Sequence, residues 1–218
     1  MSEGDLLAGL APPQADAQRL EEGATLLRGF AAAEAPELLR ALDCVLARAP
    51  FRHMLTPGGY RMSVAMSNCG RLGWVTDRRG YRYDERDPET HLRWPAMPPG
   101  FAALATRAAG TAGFADFAPD SCLINRYHPG ARLALHQDRN ERDFSQPIVS
   151  VSLGLPAIFL FGGPRRSDRA RRLALEHGDV VIWGGPARLL FHGVAALADG
   201  THALTGNARI NLTFRKAS

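Results

Sequence analysis

The sequence predicts a mainly β fold, a double-stranded β-helix (jelly roll) with flanking helices. From Asp120 onward, short apolar segments alternate with Gly and Pro turns, which is typical of sandwiches and barrels. Helical spacing of apolar residues is confined to two stretches before that point. At 218 residues the chain is long enough for one well-buried domain. The eight predicted strands are Ser121–Tyr127, Leu133–His136, Ile148–Leu155, Ala157–Phe161, Leu173–Leu175, Val180–Trp183, Leu189–His192 and Ala208–Arg215.

The N-terminal half has fewer elements. Residues 1–20 mix Ala, Pro, Gly, Gln and Asp without a firm period, so we expect a loosely ordered extension before a single domain over 21–218. A short strand is predicted at Ala24–Phe30 and a helix at Glu34–Arg48. A second helix runs from Pro99 or Gly100 to Gly110, with proline near its start. Between the helices, residues 51–95 are rich in Gly, Arg, Tyr and Trp, which favours strands and loops that bind a substrate.

Composition favours a cytoplasmic protein outside the membrane. The formal net charge is +4, a mild basic excess that is compatible with a polyanionic partner but common in other proteins too. The three cysteines lack CxxC spacing and no secretory leader precedes them, so we expect reduced thiols. No apolar run approaches the roughly 18 residues that a membrane span needs. Cys122, inside an apolar strand, is expected to be packed.

A His-x-Asp pair and one later histidine form the candidate metal centre. His136 and Asp138 stand at the end of a predicted strand, and His192 ends another. Two imidazoles and one carboxylate can occupy one face of an octahedron and leave three adjacent positions open, as non-haem Fe(II) oxygenases require. A structural zinc site would close its shell instead. The other histidines lack partners at ligand spacing; His177 is read as structural, and the rest as solvated: His53, His91, His128 and His202.

The last predicted strand indicates an anion site. Its alternate residues place Arg209, Asn211, Thr213 and Arg215 on one face, and apolar side chains on the other. An unpaired charge inside a protein is unfavourable by several kcal/mol, so two inward guanidinium groups must meet an anion. Each guanidinium can bind a carboxylate bidentately, which makes a dicarboxylate co-substrate a good match. Which arginine meets which carboxylate is left open.

Further motifs identify a family resemblance. With the metal triad, the arginine strand and Asn125-Arg126-Tyr127, the chain closely resembles the AlkB family of Fe(II)/2-oxoglutarate-dependent nucleic-acid dealkylases, in its bacterial DNA-repair branch. The resemblance covers roughly residues 20 to 215. It implies that residues 51–95 form a nucleotide-recognition lid over the β-helix core. The matching motifs are Thr56-Pro-Gly-Gly-Tyr60, Met62-Ser-Val-Ala-Met66, Gly73-Trp74, Gly80-Tyr81, Trp94-Pro-Ala-Met97, Ser150-Val-Ser-Leu-Gly154 and Glu176-His-Gly-Asp179.

The resemblance also implies roles for individual residues. The triad would hold Fe(II) and be catalytic, with 2-oxoglutarate and O2 as co-substrates. Binding of 2-oxoglutarate would involve Asn125, Tyr127, Arg209, Asn211 and Arg215. Substrate contacts would come from Met66, Trp74, Tyr81, Asn140 and Arg166. Trp74 and Tyr81 could stack on a flipped base. Arg166 belongs to a run of five arginines in Arg165–Arg172, which is either a solvated loop or a set of phosphate contacts.

The implied activity is DNA repair by oxidative demethylation of 1-methyladenine and 3-methylcytosine, which releases formaldehyde, succinate and CO2. Alkylated DNA, preferably single-stranded, is the expected partner, and the protein is expected to be a monomer. Two alternatives use the same iron site: an RNA demethylase, and a small-molecule or protein hydroxylase. One departure concerns Asn140, which stands where the bacterial relatives carry an acidic residue. Asparagine lacks the negative charge that favours a cationic methylated base, so base preference stays open.

Overall fold

A computed structural model describes residues 16–218 of the chain. Two strands open the described part, β1 (Ala17–Glu21) and β2 (Ala24–Leu27), followed by helix α1 (Ala35–Leu46). Three strands and helix α2 (Pro99–Thr111) come next: β3 (Ala65–Gly70), β4 (Gly73–Asp77) and β5 (Gly80–Asp84). The remaining strands are β6 (Ser121–Tyr127), β7 (Leu133–His136), β8 (Ile148–Gly154), β9 (Ala157–Phe161), β10 (Arg171–Leu175), β11 (Val180–Trp183), β12 (His192–Val194) and β13 (Arg209–Arg215).

The strands form two facing sheets and a separate hairpin. The larger sheet has seven strands in the order β1-β2-β11-β8-β13-β6-β3, and the smaller has four in the order β10-β9-β12-β7. Strands β4 and β5 pair only with each other. Apart from the β9–β10 hairpin, which lies within the small sheet, consecutive strands of the C-terminal half alternate between the two sheets, as in a jelly roll. The predicted mainly β fold with flanking helices is confirmed.

Strand β13 separates two layers of side chains. Ile210, Leu212 and Phe214 point outward into an apolar cluster that also contains the buried faces of both helices. Helix α1 contributes Leu38 and Leu42 at helical spacing, and Phe101 of α2 packs edge-on against Phe214 with ring centroids 6.0 Å apart. The helices therefore cover the outer face of the large sheet, and its inner face is free to build a site. No helix among residues 16–218 is long and apolar enough to cross a membrane.

Three sequence-based boundaries differ from the structure by three or more residues. Residues 17–20, predicted as part of a loose extension, belong to β1, which pairs antiparallel with β2; residues 1–15 lie outside the described part. Strand β2 ends at Leu27, before Gly29 adopts a φ of +60°, so it is shorter than predicted. The predicted strand at 189–192 begins only at His192, because the Leu190 N–H bonds back to the Ala187 carbonyl in a turn.

The region predicted to be a lid divides into two parts. Strand β3 is the edge strand of the large sheet, paired with β6 along its length. The β4–β5 hairpin lies beyond that edge and packs on Trp94, whose ring approaches Gly73 so closely that a Cβ there would lie 2.4 Å from it. The hairpin is thus the part of residues 51–95 that stands apart from the core sheets.

Candidate metal centre and substrate cavity

The three predicted metal ligands meet at the inner face of the small sheet. His136 ends β7 and His192 begins β12, and the two are directly opposite each other across the strand pair. Their ring centroids are 4.4 Å apart. The Asp138 carboxylate lies 3.7 Å from the Nε2 atom of each histidine. One ligand atom from each residue lies within 4.8 Å of the others, a grouping found once among residues 16–218. The site is therefore a compact facial set of two nitrogens and one oxygen.

Backbone carbonyls fix the direction of both imidazoles. His136 Nδ1 lies 2.9 Å from the Ala134 carbonyl oxygen, and His192 Nδ1 lies 3.1 Å from that of Leu190. Since a carbonyl only accepts, each Nδ1 carries the proton and each Nε2 keeps a lone pair for a metal. Burial, reinforced by the neighbouring His192, lowers the pKa of His136 to about 4. The neutral form that metal binding requires is thus present at physiological pH.

Asp138 is held ionised by an arginine of the anion strand. Arg215 donates two hydrogen bonds to Asp138 Oδ2, from Nε at 3.0 Å and from Nη2 at 2.7 Å. Burial opposes the charge of Asp138, but Arg215 holds the pKa of that carboxyl well below its usual range. In return, although burial works against it, Asp138 raises the pKa of Arg215. Arg215 therefore orients a metal ligand as well as facing the cavity.

A cavity of about 550 Å³ lies between the sheets and contains the triad. Strands β6, β8, β11 and β13 form one wall, and the β4–β5 hairpin and the β9–β10 loop reach its mouth. The structure brings every predicted site residue to this cavity: Met66, Trp74, Tyr81, Asn125, Tyr127, His136, Asp138, Asn140, Arg166, His192, Arg209, Asn211 and Arg215.

Arg209 lies at one end of the cavity, and its guanidinium group has no anionic partner there among the described residues. Its side chain is only 1% exposed and lies over the Tyr127 ring, with Cζ 5.1 Å from the centroid. Nη2 donates to the Ser152 hydroxyl at 2.9 Å, whereas Nε and Nη1 have no partner. Burial lowers the pKa of Arg209, as expected for a cation without a neighbouring carboxylate. Unpartnered buried donors of this kind fit a bound carboxylate.

The two amides beside Arg209 have complementary partners. Asn211 donates from Nδ2 to the Ser150 hydroxyl at 2.8 Å, and its Oδ1 accepts from Asn125 Nδ2 at 3.2 Å. Thr213 donates to the same Oδ1. Asn125 Oδ1 and Arg215 Nη1 are buried without a partner. The cavity wall is therefore polar, ordered by its own bonds, and still has unused hydrogen-bonding capacity.

Aromatic rings lie at the mouth of the cavity. Trp74 and Tyr81 stack with centroids 5.7 Å apart and planes inclined by 22°, and Tyr81 is 48% exposed. Met66 lies behind them on β3 and is buried. On the other side, Arg166 sits over the Phe191 ring, with Cζ 5.3 Å from the centroid. Flat apolar faces and a guanidinium together can hold a base and an adjacent phosphate.

Comparison with known proteins identifies the family. The chain matches the 2OG-Fe(II) oxygenase superfamily over residues 23–215. It is 57% identical to the alpha-ketoglutarate-dependent dioxygenase AlkB of Escherichia coli (strain K12) over 213 residues, which are 98% of this chain and 97% of that protein. The chain belongs to the AlkB family. An AlkB homolog of Caulobacter vibrioides (strain NA1000 / CB15N) is 50% identical over 82% of this chain and 81% of its own length. The solved structure of OsALKBH1 has a TM-score of 0.79 and 29% identity, and covers 92% of this chain and 99% of that one.

Family membership and geometry agree on the cofactors. This AlkB-family protein is an Fe(II)/2-oxoglutarate-dependent dioxygenase, and the triad is its iron site. The donor set supports this, because two imidazoles whose Nδ1 atoms face carbonyls, together with an ionised carboxylate on one face, suit Fe(II). The unpartnered atoms of Arg209 suit a dicarboxylate.

Sequence reasoning missed a buried ionic group behind the iron site. Glu141, whose side chain is 1% exposed, lies 3.3 Å from Arg215 Nε and 3.1 Å from Arg188 Nη2, and accepts from the Tyr83 hydroxyl at 2.6 Å. Arg188 also donates to the backbone carbonyl of Asp138. Glu141 stands in a run of charged residues that is typical of an exposed loop, and Arg188 in a Gly-Pro turn, so neither shows a signal of burial in the sequence.

Gly193 follows the iron ligand His192 in β12, where the strand packs tightly against β7. A Cβ there would lie 2.6 Å from the Leu133 carbonyl oxygen and 3.1 Å from that of Ala134, the partner of the His136 ring. Gly193→Ala is therefore expected to push β12 from β7 and misplace both histidines. We expect kcat to fall about a hundredfold, the effect of a misplacement near 1 Å. Gly110→Ala in α2, with open space around it, is the control and should retain full activity. Wild-type kcat in Gly193→Ala would contradict this account of the strand spacing.

Proposed function

We propose that this dioxygenase removes N-linked methyl groups from the bases of single-stranded DNA, with 1-methyladenine and 3-methylcytosine as substrates. The observation that carries the proposal is the stacked pair of Trp74 and Tyr81 at the mouth of the cavity whose floor holds the iron ligands. A flat ring entering between the pair and the floor would bring an N-methyl group toward His136. A small-molecule or protein hydroxylase has no need of this aromatic mouth.

We infer which carboxylate group of 2-oxoglutarate each of the two arginines, Arg209 and Arg215, binds. Arg215 contacts the iron ligand Asp138, so it lies at the metal end of the anion site. Arg209 lies on the Tyr127 ring with two unpartnered nitrogens, so it binds the far carboxylate bidentately. Asn125 donates one of its two Nδ2 hydrogens to Asn211 and keeps the other for a hydrogen bond between the two ends, while Asn211, whose own donors are used by Ser150 and Val151, orients Asn125. A co-substrate held along β13 in this way has a single orientation with respect to the triad.

The chemistry requires little proton transfer from the protein. Bound Fe(II), 2-oxoglutarate and O2 supply the oxidising power that converts an N-methyl group to an N-hydroxymethyl group, with succinate and CO2 as co-products. The N-hydroxymethyl base then loses formaldehyde and regains its unmodified form. The protein keeps His136 neutral, holds Asp138 ionised through Arg215, and directs the methyl group by stacking. Its contribution is mainly orientation.

Selection of damaged bases follows from pairing. A methyl group on the pairing face of adenine or cytosine prevents Watson–Crick pairing, which reduces the few kcal/mol needed to bring the base out of the stack. Single-stranded DNA has no pairing to break, which lowers that free energy further, and Arg166 beside the mouth is available for a phosphate. We therefore propose a preference for single strands. The predictions of a monomer and of a cytoplasmic location stay predictions.

The proposal is tested by asking whether a methylated base stimulates the conversion of 2-oxoglutarate to succinate. Purified protein loaded with Fe(II) is given 2-oxoglutarate and O2, and succinate is quantified with methylated DNA, unmethylated DNA or methylated RNA of one sequence. We expect methylated DNA to stimulate succinate formation more than either of the others. Equal rates with methylated and unmethylated DNA would contradict a role for the methyl group. A higher rate with RNA would replace DNA by RNA as the substrate. RNA is included because a human relative that is 35% identical over 57% of this chain and 32% of its own length is named nucleic acid dioxygenase ALKBH1, without restriction to DNA.

Asn140 leads to a prediction about base preference. Among residues 16–218, Asp138 is the one acidic residue that lines the cavity, and its charge is neutralised by Arg215. A cationic base therefore meets no unpaired carboxylate. Asn140→Asp would place a negative charge at the mouth. We expect kcat/KM for cationic 1-methyladenine, relative to neutral 1-methylguanine, to rise about tenfold, which corresponds to about 1.4 kcal/mol of added attraction. The ratio is measured by competition on one mixed oligonucleotide sample. An unchanged ratio would show that residue 140 does not sense the charge of the base.

A further inference from the structure

Two consecutive residues connect the iron-ligand loop to the substrate hairpin. Asn140 and Glu141 follow the iron ligand Asp138 closely in the chain, and both contact the β4–β5 hairpin. We propose that they form a latch, defined here as Asn140, Glu141 and their hairpin partners, which sets the position of the stacking rings relative to the iron. The inference depends on the proposed function only in that it treats the hairpin as the part that binds the base.

Asn140 uses both ends of its carboxamide on the hairpin. Its Oδ1 accepts from the Trp74 indole N–H at 3.2 Å, and its Nδ2 donates to the Tyr81 carbonyl at 3.3 Å. One residue thus bonds to β4 and to β5 at the same time. A carboxylate could accept from the indole but could not donate to the carbonyl, so this double contact is specific to an amide.

Glu141 attaches the same hairpin to a buried set of charges. The Tyr83 hydroxyl donates to Oε1 at 2.6 Å. Arg215 Nε lies 3.3 Å from the same oxygen, and Arg188 Nη2 lies 3.1 Å from Oε2. Because the carboxylate is almost completely buried and flanked by two guanidinium groups, it cannot move without separating those charges. The Tyr83 hydroxyl is therefore anchored to a fixed point, and a hydrogen bond to a charged acceptor is stronger than a neutral one.

The hairpin has a second attachment that does not involve the latch. Asn68 on β3 makes reciprocal bonds with the backbone of Trp74, each 3.0 Å long. Trp94 packs against Gly73 and donates from Nε1 to the Asp84 carbonyl at 3.0 Å. These contacts hold the open end of the hairpin, where both strands meet the rest of the fold. Loss of the latch should therefore loosen the hairpin locally and leave the sheets intact.

Tyr83→Phe is the most selective test, because it removes one hydroxyl and keeps the ring. Hydrogen exchange is measured by mass spectrometry on the full-length protein loaded with Mn(II) and without nucleic acid, comparing peptides from the hairpin with peptides from β13. We expect exchange in the hairpin to become about tenfold faster, since one charge-assisted bond is lost, while β13 is unchanged. Tyr60→Phe removes the same hydroxyl from a side chain that is 78% exposed and should change neither.

The outcomes distinguish a latch from a general stabilising role. Unchanged hairpin exchange in Tyr83→Phe would overturn the proposal. If exchange rises in β13 as well, Asn140→Ala decides the question: faster exchange confined to the hairpin supports the latch, and any other pattern overturns it. With the iron-loaded enzyme, Tyr83→Phe should raise the KM for a methylated oligonucleotide severalfold and leave the KM for 2-oxoglutarate unchanged. Because exchange is measured without substrate, failure of the latch and failure of the demethylase assignment are separate results.

Discussion

His192→Ala is expected to lower turnover more than about a thousandfold, because a two-ligand site loses both metal affinity and the several kcal/mol that a bound metal contributes to the reaction. The His192 imidazole is buried and packs against Trp183 and Phe159, so its removal also leaves a cavity. We expect the unfolding free energy to fall by about 2–3 kcal/mol while the protein stays folded. Binding of Mn(II) as a redox-inactive probe is measured by calorimetry, together with succinate formation and thermal unfolding. The expected combination is loss of Mn(II) binding in a protein that still unfolds in one cooperative transition, at a somewhat lower melting temperature.

His128→Ala provides the matched control, since it removes an exposed imidazole that lies away from the cavity. It should bind Mn(II) and turn over substrate like the wild type. Retention of Mn(II) affinity in His192→Ala would contradict the assignment of the iron site. Asp138 is a poorer choice for this test, because its carboxylate also neutralises Arg215, and alanine there would leave a buried cation without its partner.

Replacement by alanine is expected to change the stability of the protein much more at Arg215 than at Arg209. Arg215 is enclosed by Asp138 and Glu141, so Arg215→Ala leaves the buried Asp138 carboxylate without a cationic partner and Glu141 with Arg188 alone. The replacement should lower the unfolding free energy by about 3–5 kcal/mol. Arg209 has no carboxylate beside it. Arg209→Ala should change stability by about 1 kcal/mol or less, because loss of the Ser152 bond is offset by relief of a buried unpaired charge.

The same pair differs in its effect on 2-oxoglutarate. Arg209→Ala should weaken 2-oxoglutarate binding about tenfold to a hundredfold, the value of a charge-assisted bond. Denaturant unfolding gives the stabilities, and calorimetric titration with 2-oxoglutarate in the presence of Mn(II) gives the affinity of Arg209→Ala. Unchanged affinity in Arg209→Ala would contradict the anion site. Equal destabilisation by the two variants would contradict the different partners that the structure gives to Arg209 and Arg215.

Much of the site could be predicted because its signals are local. The alternation of Arg209, Ile210 and Asn211 shows which side chains share a face of β13, and His-x-Asp spacing places two ligands together at a strand end. Helix α1 shows its buried face through apolar residues at helical spacing. These patterns depend only on the geometry of a single element, so one sequence is sufficient to read them.

The remaining features depend on partners far apart in the chain. Glu141 and Arg188 contact each other across 47 positions of sequence, and nothing near either residue indicates that it is buried. Strand β1 has no apolar alternation, and its structure comes from pairing with β2. The start of β12 at His192 depends on a turn that precedes it. Tertiary contacts of this kind override local preference, so sequence patterns could not place them.

The triad directs oxidative demethylation of a base that the aromatic mouth holds. The measurement that tests it most directly uses a single-stranded oligonucleotide with one 1-methyladenine, mixed anaerobically with Fe(II)-loaded protein and started with 2-oxoglutarate and O2. Mass spectrometry follows the methyl group. We predict that the oligonucleotide loses the mass of one CH2, that formaldehyde appears in equal amount, and that His192→Ala shows neither. The substrate assignment would be contradicted if the oligonucleotide kept its methyl group while 2-oxoglutarate was still converted to succinate. That result would not contradict the assignment of the iron ligands.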